Sequence, residues 1–168
     1  KEREKNLKKL AKLPYKILFI DGYHEDFEAL SAYPDTVYRG AEAKEIAKDK
    51  IYYIKRGEIL QTDDVKILCF GGADDPTDDL FSDNVPNEKD FENCLANLEK
   101  VGGSVDYIIT HSPSGRTVRF LDLNSNATGA TLDFLDILQS KVRYKKWYFG
   151  CGHKDKYISP KMQAVYEE

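Results

Sequence analysis

The longest apolar runs in this 168-residue chain have the length of β-strands, and three of its apolar strand-like segments end within four residues of a histidine. Ile17-Leu18-Phe19-Ile20 runs into Asp21-Gly22-Tyr23-His24. Val105 to Thr110 runs into His111-Ser112-Pro113, and Lys146 to Phe149 runs into Gly150-Cys151-Gly152-His153. The chain has three histidines, and these are all of them. Nearly continuous apolar strands belong to sheets covered on both faces, so the chain must fold in layers. In layered α/β folds the loops at the carboxyl ends of the strands converge on one edge, where ligands bind. Imidazole is the commonest side-chain ligand of transition metals and the usual acid or base near neutral pH. A lone histidine after a strand is more often a hydrogen-bonded structural residue, but three in equivalent settings point to a shared site.

Around these runs the pattern alternates between helix and strand. Residues 2–12 carry Leu7 and Leu10, with Leu13 following, at helical spacing in a charged background that Pro14 ends. Tyr15 to Ile20 reads as a strand and Glu25 to Leu30 as a short helix. From Thr36 to Phe70 the signal is β, with runs at Thr36–Arg39, Ile51–Ile54, Glu58–Gln61 and Val65–Phe70 separated by turn residues. Residues 71–86 read as a long acidic loop. Asn87 is placed to cap a helix through Lys100 with Phe91, Leu95 and Leu98 on one face. Ser112 to Gly129 reads as a second long polar loop, Thr131 to Lys141 as a helix, and Tyr157-Ile158 with Gln163–Tyr166 as a closing hairpin. No internal repeat or linker interrupts the chain, so residues 1–168 are expected to form a single α/β domain.

Composition narrows the function classes. Hydrophobic residues make up 41% and charged residues 32%, which describes a globular chain and not a disordered one. No apolar run approaches the ~20 residues that span a bilayer, and the charged start lacks the apolar core of a signal peptide. The net charge of -4 gives no general affinity for nucleic acid. Three widely spaced cysteines argue against a disulfide framework, with Cys69 and Cys94 falling in core patterns. A cytoplasmic protein without a membrane or nucleic-acid partner is therefore expected. Asp74, Asp75, Asp78 and Asp79 read as a solvated acidic loop, with a weak calcium site as the alternative.

The segments "LFIDGYHEDFEAL", "VDYIITHSP" and "WYFGCGHKD" resemble, in order and spacing, the last three motifs of the calcineurin-like metallophosphoesterases, nearest to their small bacterial phosphatase-like members. The resemblance runs from about Leu13 to Tyr166 and includes "IYYIKRGEI" and "KILCFGGA" between the motifs. It implies a metallophosphoesterase-like sandwich of two β-sheets flanked by helices. It also implies hydrolysis of phosphate esters at a dinuclear centre of Mn, Fe or Zn, where paired cations polarise the phosphoryl oxygens and supply a hydroxide. Carried over by position, His111 and His153 become metal ligands and His24 the acid-like catalytic group.

Two positions depart from the family pattern. Tyr23 stands where the family has an asparagine ligand, and a phenol ligates well only as phenolate. Cys151 stands where the family has a histidine, and its thiolate is softer and of shorter reach. Both changes fall on the same metal. The family's first two motifs, Asp-x-His and Gly-Asp-x-x-Asp, should precede Lys1 by family spacing, so the domain is expected to be incomplete at its N-terminus and one sheet to lack strands. The expectation is a degenerate phosphoesterase domain that does not hydrolyse as given, with no metal or one metal bound. The alternative is a binding module for a protein partner or a phosphorylated small molecule. Arg116 and Arg119, in the loop after His111, are the candidates for gripping a phosphate. An open sheet edge would favour a homo-oligomer.

Overall fold

In the computed structural model, residues 2–74, 83–121, 128–150, 152 and 155–166 are described. They run as α1 (Glu2–Leu10), β1 (Ile17–Phe19), α2 (Phe27–Ser31), β2 (Asp35–Tyr38), β3 (Ala41–Ala47), β4 (Ile51–Ile54), β5 (Glu58–Gln61), β6 (Lys66–Phe70) and α3 (Glu88–Lys100). There follow β7 (Tyr107–Thr110), α4 (Gly115–Phe120), α5 (Ala130–Lys141), β8 (Lys146–Phe149), β9 (Lys156–Ser159) and β10 (Met162–Ala164).

The strands form two mixed sheets. The smaller has the order β1-β4-β3-β2, with β1 parallel to β4 and the remaining pairs antiparallel. The larger has the order β5-β6-β7-β8-β10-β9; its four middle strands are parallel and its two edge strands antiparallel. The sheets meet face to face through Ala41, Ala43, Tyr52 and Ile54 on one side and Leu60 and Cys69 on the other. The opposite face of the larger sheet lies under α3 and α5, where Leu68, Phe70, Ile108, Trp147, Phe149 and Ala164 pack against Cys94, Leu98, Phe134, Leu135 and Leu138. The architecture is thus mixed α/β, two sheets with flanking helices, as the alternating apolar runs require. Among the described residues no helix is long and apolar enough to cross a membrane.

Several local expectations need correction. β3 lies within the stretch read as β but is not picked out as a run, because Ala41-Glu42-Ala43-Lys44-Glu45 is made of good helix formers. The tight turn at Arg39-Gly40, both with positive φ, folds the segment back antiparallel onto β2. Ala41 and Ala43 are then fully buried against the facing sheet, so packing overrides propensity. In α3 the buried stripe is Phe91, Cys94 and Leu98, spaced i, i+3, i+7, and Leu95 is 49% exposed. The segment read as a polar loop after His111 contains α4, whose start is capped by the Ser114 hydroxyl accepting from Thr117 N at 3.3 Å. The closing hairpin exists, but β10 also inserts parallel to β8. Asp74 is no solvated loop residue: its carboxylate accepts from Thr131 N and Leu132 N at 3.1 and 2.9 Å, capping α5. Asp75, Asp78 and Asp79 lie outside the described residues.

Cys69 and Cys94 are buried free thiols, and burial pushes each up to about 12. Because the thiolate is the reactive form, neither is expected to react with iodoacetamide at pH 8 in the folded chain. Peptide mapping by mass spectrometry should find both alkylated only after denaturation; rapid native labelling of either would contradict their placement in the core.

Candidate functional site

Four strand ends meet at one edge of the sandwich. Asp21 and Gly22 leave β1, Gly71 and Gly72 leave β6, His111 leaves β7 and Gly150 leaves β8. Backbone hydrogen bonds tie them together: Gly72 N donates to Asp21 O at 3.1 Å, His111 N to Phe70 O at 3.3 Å, and Gly150 N to His111 O at 3.2 Å. Gly71 has to be glycine, because a Cβ there would collide with the Asp21 carboxylate. Gly22 sits against the His111 ring: a Cβ added to it would stand 3.4 Å from Cε1 and Nδ1. The first and second histidine-bearing turns are therefore neighbours, and β8 brings the start of the third to the same place.

Each turn is held from below. Gly22 N donates to Glu25 Oε1 at 3.3 Å, and Asp26 caps α2 by accepting from Ala29 N at 3.0 Å. The Tyr23 and His24 rings meet edge to face with centroids 4.6 Å apart, Tyr23 half-buried and His24 exposed. At the end of β7 the Thr110 hydroxyl donates to Ser112 O and accepts from the Trp147 indole N–H at 2.8 Å. That pair fixes the backbone on both sides of His111.

Beneath these turns lies a buried ionic knot that the sequence reading did not single out. Asp21 is fully buried. Its Oδ2 accepts from Arg56 Nε at 2.9 Å and Nη2 at 2.7 Å, and its Oδ1 accepts from the Tyr53 hydroxyl at 3.0 Å. The Arg56 guanidinium also donates to Asp90 at 3.2 Å and to the backbone oxygens of Asp83 and Asn84, and lies 5.1 Å from the Phe27 ring centroid. Burial pushes the Tyr53 phenol well up, and the neighbouring Asp21 charge adds to the effect. Burial alone would lower the Arg56 guanidinium, but Asp21 and Asp90 outweigh it and hold it raised. The knot joins the end of β1, the end of β4, the segment at residues 83–84 and the first turn of α3. The sequence does carry a signal for it: Asp21 and Arg56 each end an apolar strand, where a charge must be paired to be buried.

Beside His111 opens a cavity of about 480 Å³ lined by Ile20, Asp21, Ile109, Thr110, His111, Tyr148, Phe149, Gly150, Gln163 and Val165. Arg116 and Arg119 do not line it. They project from α4 toward α5, where Arg116 Nη1 donates to Ser140 Oγ at 3.0 Å and Arg119 Nη2 pairs with Asp136 Oδ2 at 3.1 Å. Cys151 and His153 lie outside the described residues. Among the described residues no group of three or more His, Cys, Asp or Glu side chains is placed to hold a metal ion. Of the donors expected from the sequence, the structure describes Tyr23 and His111, which by themselves do not make up a ligand set. Comparison of the chain with family models, with curated proteins and with solved structures finds no significant match.

Proposed function

We propose that this chain is a phosphoesterase-like domain in which the strand-end edge keeps the shape of a phosphate-ester site without completing its ligand set, so that the 168 residues bind at this edge and do not hydrolyse. The observation that carries the reading is the convergence of the Gly22 turn, His111 and Gly150 on one edge. The first two turns that resemble family motifs and Gly150, where the third begins, are far apart in sequence and close in space, which supports a shared site. Tyr23 in place of an amide and Cys151 in place of an imidazole weaken the same metal position, and the 168 residues carry neither Asp-x-His nor Gly-Asp-x-x-Asp to complete the other. No catalytic step is therefore assigned to the chain.

What the described residues can do is bind. His111 and Gln163 line the cavity together with the apolar side chains of Ile109, Tyr148 and Val165. A phosphorylated small molecule with an apolar moiety fits that division of polar and apolar surface. Two measurements on the purified chain test the reading. Metal analysis by mass spectrometry should find no more than one Mn, Fe or Zn ion per chain. Incubation with p-nitrophenyl phosphate or its bis ester in Mn²⁺ should release nitrophenol no faster than buffer. Two metal ions per chain together with hydrolysis would overturn the proposal.

A further inference from the structure

The two sheets differ in width, and the narrower leaves part of the wider uncovered. On the helix side of β8, Trp147 and Phe149 are 0% and 2% exposed, whereas Lys146 and Tyr148, facing the other sheet's layer, are only half-buried. The cross-strand registers place Cys69, Ile109, Tyr148, Gln163 and Tyr157 in one row across that face. Cys69 lies under the smaller sheet at 3% exposure, and by the far end of the row Tyr157 is 63% exposed. The covering layer stops at β1.

β1 is itself open along this boundary. It pairs with β4 on one side, and among the described residues no strand pairs with its other side. Ile17 N donates to Lys50 O at 2.8 Å, so the backbone groups of Ile17 and Phe19 face β4. In a parallel ladder those of the alternate residue, Leu18, then face outward. The Leu18 side chain is 39% exposed. A groove of about 350 Å³ runs along this edge, lined by Leu18, Ile20, Ile54, Ile67, Cys69 and Ile109. It shares Ile20 and Ile109 with the cavity beside His111.

We infer that this edge and groove form a strand-addition site for a polypeptide segment from outside these 168 residues, extended, alternately apolar, and pairing with the outer edge of β1. Three features favour that occupant. The groove is continuous with the interior seam of the sandwich, because Ile20, Ile67, Cys69 and Ile54 belong to both. A strand laid beside β1 simply extends that seam. The uncovered face is also small: three strands about 4.8 Å apart and about four residues of 3.3 Å long give roughly 200 Å². A stable dimer needs about 800 Å² from each partner, so a second copy seated on this face alone would be weakly held. Finally, the outward N–H and C=O of Leu18 are satisfied by a strand and not by a helix lying in the same groove. This inference does not depend on the phosphoesterase reading.

The test uses the 168-residue chain and a phage-displayed library of random dodecapeptides as the probe. Enriched peptides should alternate apolar and polar residues and lack proline. A synthetic consensus peptide should slow hydrogen exchange at the Leu18 amide. Leu18→Pro removes the outward N–H while leaving the bonds to β4, a substitution edge strands tolerate. It should weaken the peptide at least tenfold with the melting temperature unchanged. Should that variant fail to fold, Tyr148→Glu places a charge on the uncovered face and should weaken binding similarly. No enrichment, enrichment of helical i, i+3, i+4 patterns, or binding indifferent to both substitutions would each overturn the inference. So would a stoichiometric dimer in analytical ultracentrifugation that protects Leu18, since the second copy would then be the occupant.

Discussion

Replacing Arg56 by Met should destabilise the chain by about 3–5 kcal/mol, the usual cost of removing one partner from a buried ion pair. The guanidinium is 6% exposed and gives both Nε–H and Nη2–H to Asp21, which is itself inaccessible to solvent. Without it, Asp21 keeps only the Tyr53 hydroxyl among the hydrogen bonds described here, and a lone buried carboxylate is far costlier than a buried pair. The same change strips donors from Asp90 and from the backbone oxygens of Asp83 and Asn84. Arg56→Lys should recover little, since an ammonium cannot reproduce the forked geometry. Lys55→Met is the neighbouring control. Lys55 pairs with Asp35 and Glu42 at the surface, where an ion pair is worth at most about 1 kcal/mol. Urea unfolding of the three variants separates these cases, and a loss at Arg56 no larger than at Lys55 would remove the knot from the account of what holds the strand ends in place.

The knot also shows where sequence reasoning stops. The strand ends were legible because apolar runs and their terminating turns are local features: β8 was read with its observed limits, and the turns at Gly22, His111 and Gly150 do lie together. Asp21 and Arg56 are 35 residues apart, and nothing local pairs them. The same is true of Asp74, whose carboxylate reaches α5 across 57 residues, and of Arg116 and Arg119, whose partners lie 24 and 17 residues on. A charge in a loop looks solvated in sequence until the element that it caps or pairs with is folded against it. β3 is not picked out as a run for the converse reason: its alanines favour helix locally, and only the opposing Leu60 and Cys69 make a close-packed strand there preferable. The apolar runs at the strands were likewise visible, but not which face of each the second sheet would reach.

That last question has a direct experimental form in two adjacent residues of β8. Trp147→Ala should cost about 3–5 kcal/mol, as large aromatic truncations in a packed core do. Trp147 is fully buried under the helices, its indole N–H bonded to Thr110 Oγ1 and its ring edge-on to Tyr144 at 5.7 Å. The loss should also reach the candidate site, because Thr110 precedes His111 and its hydroxyl organises the turn through Ser112 O. Hydrogen exchange at Gly150 N, which donates to His111 O, should therefore quicken. Trp147→Phe keeps most of the volume and removes the hydrogen bond, so the unmade bond at Thr110 should add about 1–3 kcal/mol to a small packing loss. Tyr148→Ala, one residue along and on the opposite face, should cost less than about 1 kcal/mol, in the range of partly exposed positions. Its ring is half-buried, beside Tyr107 at 6.3 Å and beneath Lys146 at 5.0 Å. Equal costs at Trp147 and Tyr148 in the chain alone would mean that both faces of β8 are packed, which would leave no uncovered strand-addition face. A small cost at Tyr148 that grows to several kcal/mol once a consensus peptide is bound would locate the added strand over this residue, beside His111.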